Sequence, residues 1–327
     1  MMVHIFVTND CNLNCDYCYV ASQREKKEFR VESISNLISF INRMLSLNKS
    51  EVVIFDFFGG EPLLNRECIE EIIVQAKERI SVRQKYIMTT NGTLLTQKNV
   101  DYIISNNIDL SVSLDGHPNT HDKHRKFKSG MPSWNHISQN IEYLLKKIPH
   151  VTARMTFDSQ TVSELYNNVK FLECEGFKII KPIPDFFDEN WSDENFEILK
   201  EQFKKLRLNS NPEIQVSLIK KRIFIQSDCS GGVDSFSINV NGDVYPCNYA
   251  VGNKDFCLGN ISEFNKFELH SFHTDHSKRN ECKGCAYFSS CESARCVFVN
   301  YKMTNNFHTP NGFFCSFERL ISSVKTP

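Results

Sequence analysis

The chain has 327 residues, a formal net charge of −1 and 24% charged side chains, so no global basic field marks it for nucleic acid. No run approaches the roughly 18 apolar residues of a membrane span, and Met1-Met2-Val3-His4-Ile5 lacks the charged start and long apolar stretch of a secretory signal. A cytoplasmic protein of one large or two modest domains is expected, with 26 Phe against 13 Gly pointing to a filled core. In chain order, 3–8 reads as a buried strand that runs into a cysteine-bearing loop. Residues 31–47 carry Ile34, Leu37, Ile38, Ile41 and Leu45 at helical spacing. A short apolar strand at 52–57 precedes Gly59-Gly60-Glu61-Pro62 and a helix over 68–80. A third strand, 86–90, ends at Asn91-Gly92, and 100–105 lies on the next helix. The fourth strand, 110–114, leads to a polar loop and a helix over 136–148. Strands at 151–157 and 177–183 flank a helix near 164–174, and a helix near 195–206 closes the series.

Six strand–helix units predict an α/β fold, a parallel sheet curved into a partial (β/α)6 TIM-like barrel with ligands at the carboxyl ends of the strands. Asn91-Gly92, the Gly-Gly-Glu-Pro run and the first cysteines all fall just after a strand. Beyond Cys229 the chain changes to hairpins, turns and dense cysteine. The expected domains are therefore a barrel over 1–190, a bridge over 191–228 and a cysteine-rich module over 229–327. The 13 cysteines fall largely in short clusters without a secretory signal, which argues for metal ligation in a reducing compartment over disulfides.

Cys11, Cys15 and Cys18 stand in the order C-x-x-x-C-x-x-C. A structural zinc or a saturated iron–sulfur cluster takes four protein ligands. Three thiolates this close can hold three irons of a [4Fe–4S] cube and leave the fourth to a small molecule. At this motif the chain resembles the radical S-adenosylmethionine (SAM) enzymes. That resemblance implies that the SAM methionine chelates the open iron, and that the reduced cluster cleaves the sulfonium to a 5′-deoxyadenosyl radical. Tyr17 matches the aromatic that the family places before the last cysteine; it could shield the cluster, pack on adenine or simply pack.

The same resemblance gives Gly59, Gly60 and Glu61 the methionine amino group of SAM. It gives the ribose to Ser113, and the SAM carboxylate to Arg154 on the fifth strand, with a structural ion pair as the competing reading for this arginine. At the end of the fourth strand the Ser113 hydroxyl and the Asp115 carboxylate suit a ribose, or Asp115 is a turn residue bonded to its own backbone. His117, His121, His124 and Arg125 read as a polar loop, 123–128 as a solvated basic run, and Cys68 and Cys174 as buried thiols on helices.

The C-terminal array runs Cys229, twelve residues, Gly242, four residues and Cys247, then Cys282-x-x-Cys285, Cys291, Cys296 and Cys315. It resembles the SPASM domain, which holds two auxiliary [4Fe–4S] clusters in radical SAM enzymes that modify peptides and proteins. Carried over by position, Cys282, Cys285, Cys291 and Cys315 close an outer cluster, while Cys229, Cys247 and Cys296 hold an inner one. Four residues separate Cys291 from Cys296 where the family has three. The inner set lacks a fourth protein ligand, which either Cys257 or a substrate thiolate supplies.

The resemblance thus implies three [4Fe–4S] clusters, SAM, a peptide or protein substrate, and an electron donor such as flavodoxin or ferredoxin. Its best reading is a peptide maturase forming a thioether; carbon–carbon cross-linking, epimerisation and formylglycine formation are alternatives, and a non-catalytic electron carrier is a distant one. Anaerobic sulfatase maturases place a carboxylate after the G-x-x-x-x-C cysteine, where this chain has Asn248, which cannot act as a base. Two residues precede the first strand, so no added N-terminal leader-binding domain is expected. Recognition falls to the barrel mouth, the 185–228 bridge or a separate leader-binding protein.

Overall fold

A computed structural model describes residues 1–20, 26–220, 229–272 and 276–324. The strands are β1 (Met2–Thr8), β2 (Val52–Gly59), β3 (Arg83–Thr90), β4 (Ile108–Ser113), β5 (Thr152–Phe157), β6 (Ile179–Pro184), β7 (Gln215–Val216), β8 (Ser235–Ile238), β9 (Asp243–Tyr245) and β10 (Gly259–Asn260). The helices are α1 (Ile34–Asn48), α2 (Arg66–Arg79), α3 (Gln97–Ser105), α4 (Pro118–His124), α5 (Trp134–Ser138), α6 (Ile141–Lys147), α7 (Leu165–Cys174), α8 (Asp193–Leu208), α9 (Val297–Thr304) and α10 (Gly312–Val324). β1 to β7 pair in sequence order, all parallel. Successive side chains of a strand point to opposite faces, and one face takes the apolar set. Val3, Ile5, Val53, Phe55, Phe57, Leu110, Val112, Ala153, Met155 and Ile180 are buried beneath the helices. Their alternates His4, Asp56, Ser111, Ser113, Arg154 and Lys181 turn to the other, inner face.

α1 shows why such helices form. Leu37, Ile38, Ile41, Met44 and Leu45 recur at helical spacing and are all buried. Lys49 then ends it in the left-handed conformation, φ 53°, with its N–H on the Leu45 carbonyl. The predicted helix over 136–148 is instead two, α5 and α6, broken at Gln139 and Asn140. The loop expected around His117–Arg125 contains α4, started by Pro118 at its first position. Cys68 is buried as expected, whereas Cys174 is exposed.

The cysteine-rich segment is not a separate layer. β8 pairs parallel to β1, and β9 and β10 follow as antiparallel neighbours, so the barrel sheet continues into it. At the opposite edge α10 docks through aromatic rings: Phe313 stacks on Trp191 at 4.1 Å, and Phe314 lies 4.3 Å from Phe186. Leu199, Phe203 and Leu206 of α8 belong to the main core, and β7 extends the sheet. That part of the expected bridge therefore packs as barrel; 221–228 lie outside the described residues. Among the described residues no helix is long and apolar enough to cross a membrane.

Phe40 of α1 joins the two parts, edge-on to Phe236 of β8 at 5.5 Å and to Phe267 at 4.9 Å. Phe40→Ala should cost about 3–5 kcal/mol through lost burial and the cavity left behind. The denaturant midpoint of anaerobically purified protein should fall accordingly; an unchanged midpoint would mean that this seam contributes nothing.

Candidate active site at the carboxyl ends of the strands

The cysteine loop is held from behind by glycine. A Cβ on Gly59 would lie 2.1 Å from the Thr8 carbonyl oxygen, and one on Gly60 would lie 2.0 Å from that of Asp10. No side chain fits there, and Gly59 also has φ +142°. The close approach lets Gly60 N–H donate to the Thr8 carbonyl and Glu61 N–H to the Asp10 carbonyl, each at 2.9 Å. Backbone that carries the cysteines is thus bonded directly to backbone leaving β2.

Glu61 faces away from the cavity. It is fully buried, and its carboxylate accepts from Thr90 Oγ1 at 2.7 Å, Asn91 N at 2.7 Å and Leu63 N at 3.2 Å. Burial pushes its carboxyl up to about 7 against those three hydrogen bonds. The contact fixes Asn91, whose Nδ2 donates to Asn12 Oδ1 at 2.8 Å and lies 3.7 Å from Cys11 Sγ. Asn91 is therefore a neighbour of the first cysteine, and the Glu61 carboxylate reaches that cysteine through it.

A second buried group holds the other side of the loop. The Asp115 carboxylate accepts from Arg125 Nε at 2.8 Å, Arg125 Nη2 at 3.1 Å, Thr156 N at 2.9 Å and the Tyr17 hydroxyl. Burial pushes Asp115 up, but the Arg125 charge, His121 and the Arg125 and Tyr17 hydrogen bonds outweigh it and hold the carboxyl below its usual range. Arg125 also lies over the Tyr17 ring at 5.2 Å. It is buried, so this part of the expected solvated run 123–128 is corrected: its charge is offset inside by Asp115. His121 is wholly buried, and burial pulls its imidazole down to about 3. In the neutral form its Nδ1 accepts from Asp115 N at 3.3 Å and its Nε2 faces Ser133 Oγ at 3.0 Å, so it is a packed core histidine.

These elements enclose a cavity of about 260 Å³. Cys11, Cys15, Cys18, Tyr17, Gly59, Gly60, Ser113 and Arg154 all line it; Glu61 does not. Ser113 and Arg154 are register partners on β4 and β5, and Lys181 is the partner of Arg154 on β6. Arg154 is exposed to this space, and among the described residues it forms no ion pair, which leaves the competing reading of a structural ion pair without a partner there. Asn91, Arg125, Asp185, Phe186, Phe187 and Tyr249 complete the wall in part, and sequence reasoning did not single them out as site residues. Burial pushes the Cys15 thiol up to about 11 although Arg125 opposes it; binding iron displaces such a proton. Among the described residues no three of His, Cys, Asp or Glu converge as one metal ion requires. A cube does not ask for that convergence, because each thiolate binds a different corner. The loop thiols, with an Asn91 amide beside Cys11, fit that donor set.

The C-terminal cysteines separate into two groups. Cys282, Cys285, Cys291 and Cys315 line one small pocket. Cys247 interacts electrostatically with Cys296 and Cys229, and Cys296 with Cys229. Burial pushes the Cys296 and Cys291 thiols each up to about 11. Cys257 is exposed, with Sγ 3.5 Å from the Gly259 carbonyl oxygen, and interacts with Tyr245. Asn248 Oδ1 accepts from Ser237 Oγ at 2.7 Å.

Residues 5–172 match the radical SAM superfamily, and 229–286 match the SPASM iron–sulfur cluster-binding domain. The chain belongs to the radical SAM superfamily. An uncharacterised protein of Methanocaldococcus jannaschii is 32% identical over 273 residues, covering 80% of this chain and 89% of that one. A cysteine-type anaerobic sulfatase-maturating enzyme of Clostridium perfringens is 24% identical over 321 residues, covering 87% of this chain and 85% of that enzyme. The fold is similar to that of anSMEcpe with bound AdoMet and Kp18Cys peptide, with TM-score 0.79 and 20% identity over 99% of this chain and 96% of that one. The two domains make the protein an enzyme with iron–sulfur clusters and SAM as cofactors.

The raised Glu61 carboxyl has a testable sign. Between its ordinary value of 4.5 and about 7 the folded chain holds a proton that the unfolded chain has released. Stability should therefore fall as pH rises through that window, by roughly 3 kcal/mol at about 1.4 kcal/mol per pK unit, and level off above it. Denaturant midpoints at several pH values should show this slope in wild type and lack it in Glu61→Gln. Equal slopes would remove Glu61 as the source.

Proposed function

We propose that the chain is a radical SAM maturase of a peptide or protein, with thioether formation its reaction. When bound, a [4Fe–4S] cluster on Cys11, Cys15 and Cys18 together with SAM supplies a 5′-deoxyadenosyl radical that takes hydrogen from carbon. The observation that carries the reading is the shared wall: three thiols, glycine backbone and an arginine without an ion pair among the described residues line one cavity. Arg154 would pair with the SAM carboxylate, and Ser113 beside it would bond the ribose. The backbone at Gly59 and Gly60 would accept from the methionine ammonium, while Glu61 holds that loop from behind. Tyr17, fixed by Asp115, would keep Cys15 and Cys18 in place. Val20, Phe58, Phe186 and Phe187 would exclude water from the reacting centre.

In this reading Cys282, Cys285, Cys291 and Cys315 hold the outer auxiliary cluster, and Cys229, Cys247 and Cys296 hold the inner one. The exposed position of Cys257, bonded to Gly259, supports an inner site left open to a substrate cysteine. Iron would keep that sulfur deprotonated and oriented toward the carbon it joins. Formylglycine formation is the second reading, favoured by the similarity to the sulfatase-maturating enzyme. Against it, the Asn248 amide cannot take the proton that such an oxidation releases. The electron donor would be a flavodoxin or ferredoxin, and a separate protein could present the peptide's leader.

Anaerobically reconstituted wild type should hold about twelve irons, four for each of three clusters, and release 5′-deoxyadenosine from SAM with dithionite. The triple variant Cys11→Ala, Cys15→Ala, Cys18→Ala should keep about eight irons and release none. Deoxyadenosine from that variant, or zinc in place of the C-terminal iron, would refute the assignment.

Cys257→Ala provides a separate check on the inner site. Iron content and the Mössbauer spectrum should match wild type. Loss of about four irons would make Cys257 the fourth ligand and close the site to substrate sulfur.

A further inference from the structure

Lys302 lies on α9, six residues after Cys296, and its side chain is exposed but tethered. Its Nζ lies 4.7 Å from the centre of the Phe187 ring and 5.6 Å from that of Tyr19, and donates to the Tyr19 carbonyl at 3.4 Å. Both rings line the cavity that contains Cys18. Lys302 itself lines a second cavity, of about 440 Å³, which shares Tyr19 and Tyr249 with the first. The acid groups on which its charge acts are Asp185, Cys18 and Cys247. Among the described residues no carboxylate stands within ion-pair distance of it. A cation is thus held over two rings, in a cavity lined by Tyr19, the chain neighbour of Cys18, and by Asn248, the chain neighbour of Cys247.

We propose that Lys302 is a shared counter-cation of the first and inner clusters, raising the reduction potential of both. This rests on the reading of Cys11, Cys15 and Cys18, and of Cys229, Cys247 and Cys296, as cluster sites. An iron–sulfur cluster on thiolates gains one negative charge when it takes up an electron. A nearby cation favours that reduced form, and net charge around a cluster is among the factors that set its potential. At the first cluster the effect eases reduction before SAM cleavage. At the inner cluster it eases acceptance of an electron. The side chain is exposed and lines the second cavity, so water screens it. Two cation–π contacts and one carbonyl keep the ammonium from swinging away.

The test is an EPR-monitored dithionite titration of the full iron-loaded chain, as wild type, Lys302→Met and Lys302→Arg. The first cluster is identified by the change in its signal when SAM is added. Lys302→Met should keep the iron content and move both midpoints to more negative values, while Lys302→Arg stays near wild type. Should Lys302→Met lose iron, Lys302→Gln, which still offers an N–H to the Tyr19 carbonyl, is titrated in its place with the same expectation. Unmoved midpoints in the neutral variant, or equal shifts in the neutral and arginine variants, would overturn the inference alone. Wild type lacking either signal would overturn the cluster reading and this inference with it.

Discussion

A single carboxylate organises one side of the site. Asp115 follows β4, is wholly buried, and accepts four hydrogen bonds from three other segments: the cysteine loop, the end of α4 and β5. Burying a carboxylate is costly unless an opposite charge and donors replace water. Arg125 supplies the charge in two-toothed form, while Tyr17 and Thr156 N complete the shell. The same shell ties Tyr17, and so the stretch between Cys15 and Cys18, to the strand ends. With the glycine contact behind the loop, both flanks of the cysteine motif are bonded to β-strand termini, which are the most rigid places available. A cofactor that must meet a carbon atom with sub-ångström tolerance calls for such a mounting.

The open barrel presents a different problem, since two unclosed edges expose unpaired backbone. Here β8–β10 continue the sheet beyond β1, while the rings of α10 stack on Trp191 and pack against Phe186 beyond β6. The segment bearing the C-terminal cysteines thereby contacts both edges and brings Tyr249 to the cavity wall. Phe6, Val20, Val240, Tyr245, Val297 and Phe298 form one apolar cluster, against which Cys18, Cys229 and Cys247 all pack. The spacing between the first and the inner cysteine sets is therefore a packing property of that small core.

Much of this was legible in the chain itself. The alternation of strands and helices, the placement of three motifs after strands and the cysteine spacings all rest on short-range periodicity and on ligand geometry, both of which are local. Arg125 was misread because a Lys- and Arg-rich run looks solvated unless a buried carboxylate waits ten residues upstream. Arg154 illustrates the opposite case: its strand neighbours are apolar, yet alternation turns it to the inner face, where it lines the cavity. Cys174 sits on a helix as expected, but at a rim position that periodicity over one helix does not separate from its buried face.

What the sequence by itself determined was the chemistry on offer: three thiols on one loop, two glycines after β2, and seven further cysteines in a pattern that resembles a known array. Those features are short, and their meaning follows from valence and sterics within a few residues. Only the tertiary structure decided which groups face the cavity and which support it from behind. Glu61 and Arg154 show the division. Glu61 follows a strand and Arg154 lies within one, and the Glu61 carboxylate is consumed by Thr90, Asn91 and Leu63, while Arg154 stands open to the cavity. That outcome depends on register between strands far apart in the chain, which no local pattern encodes.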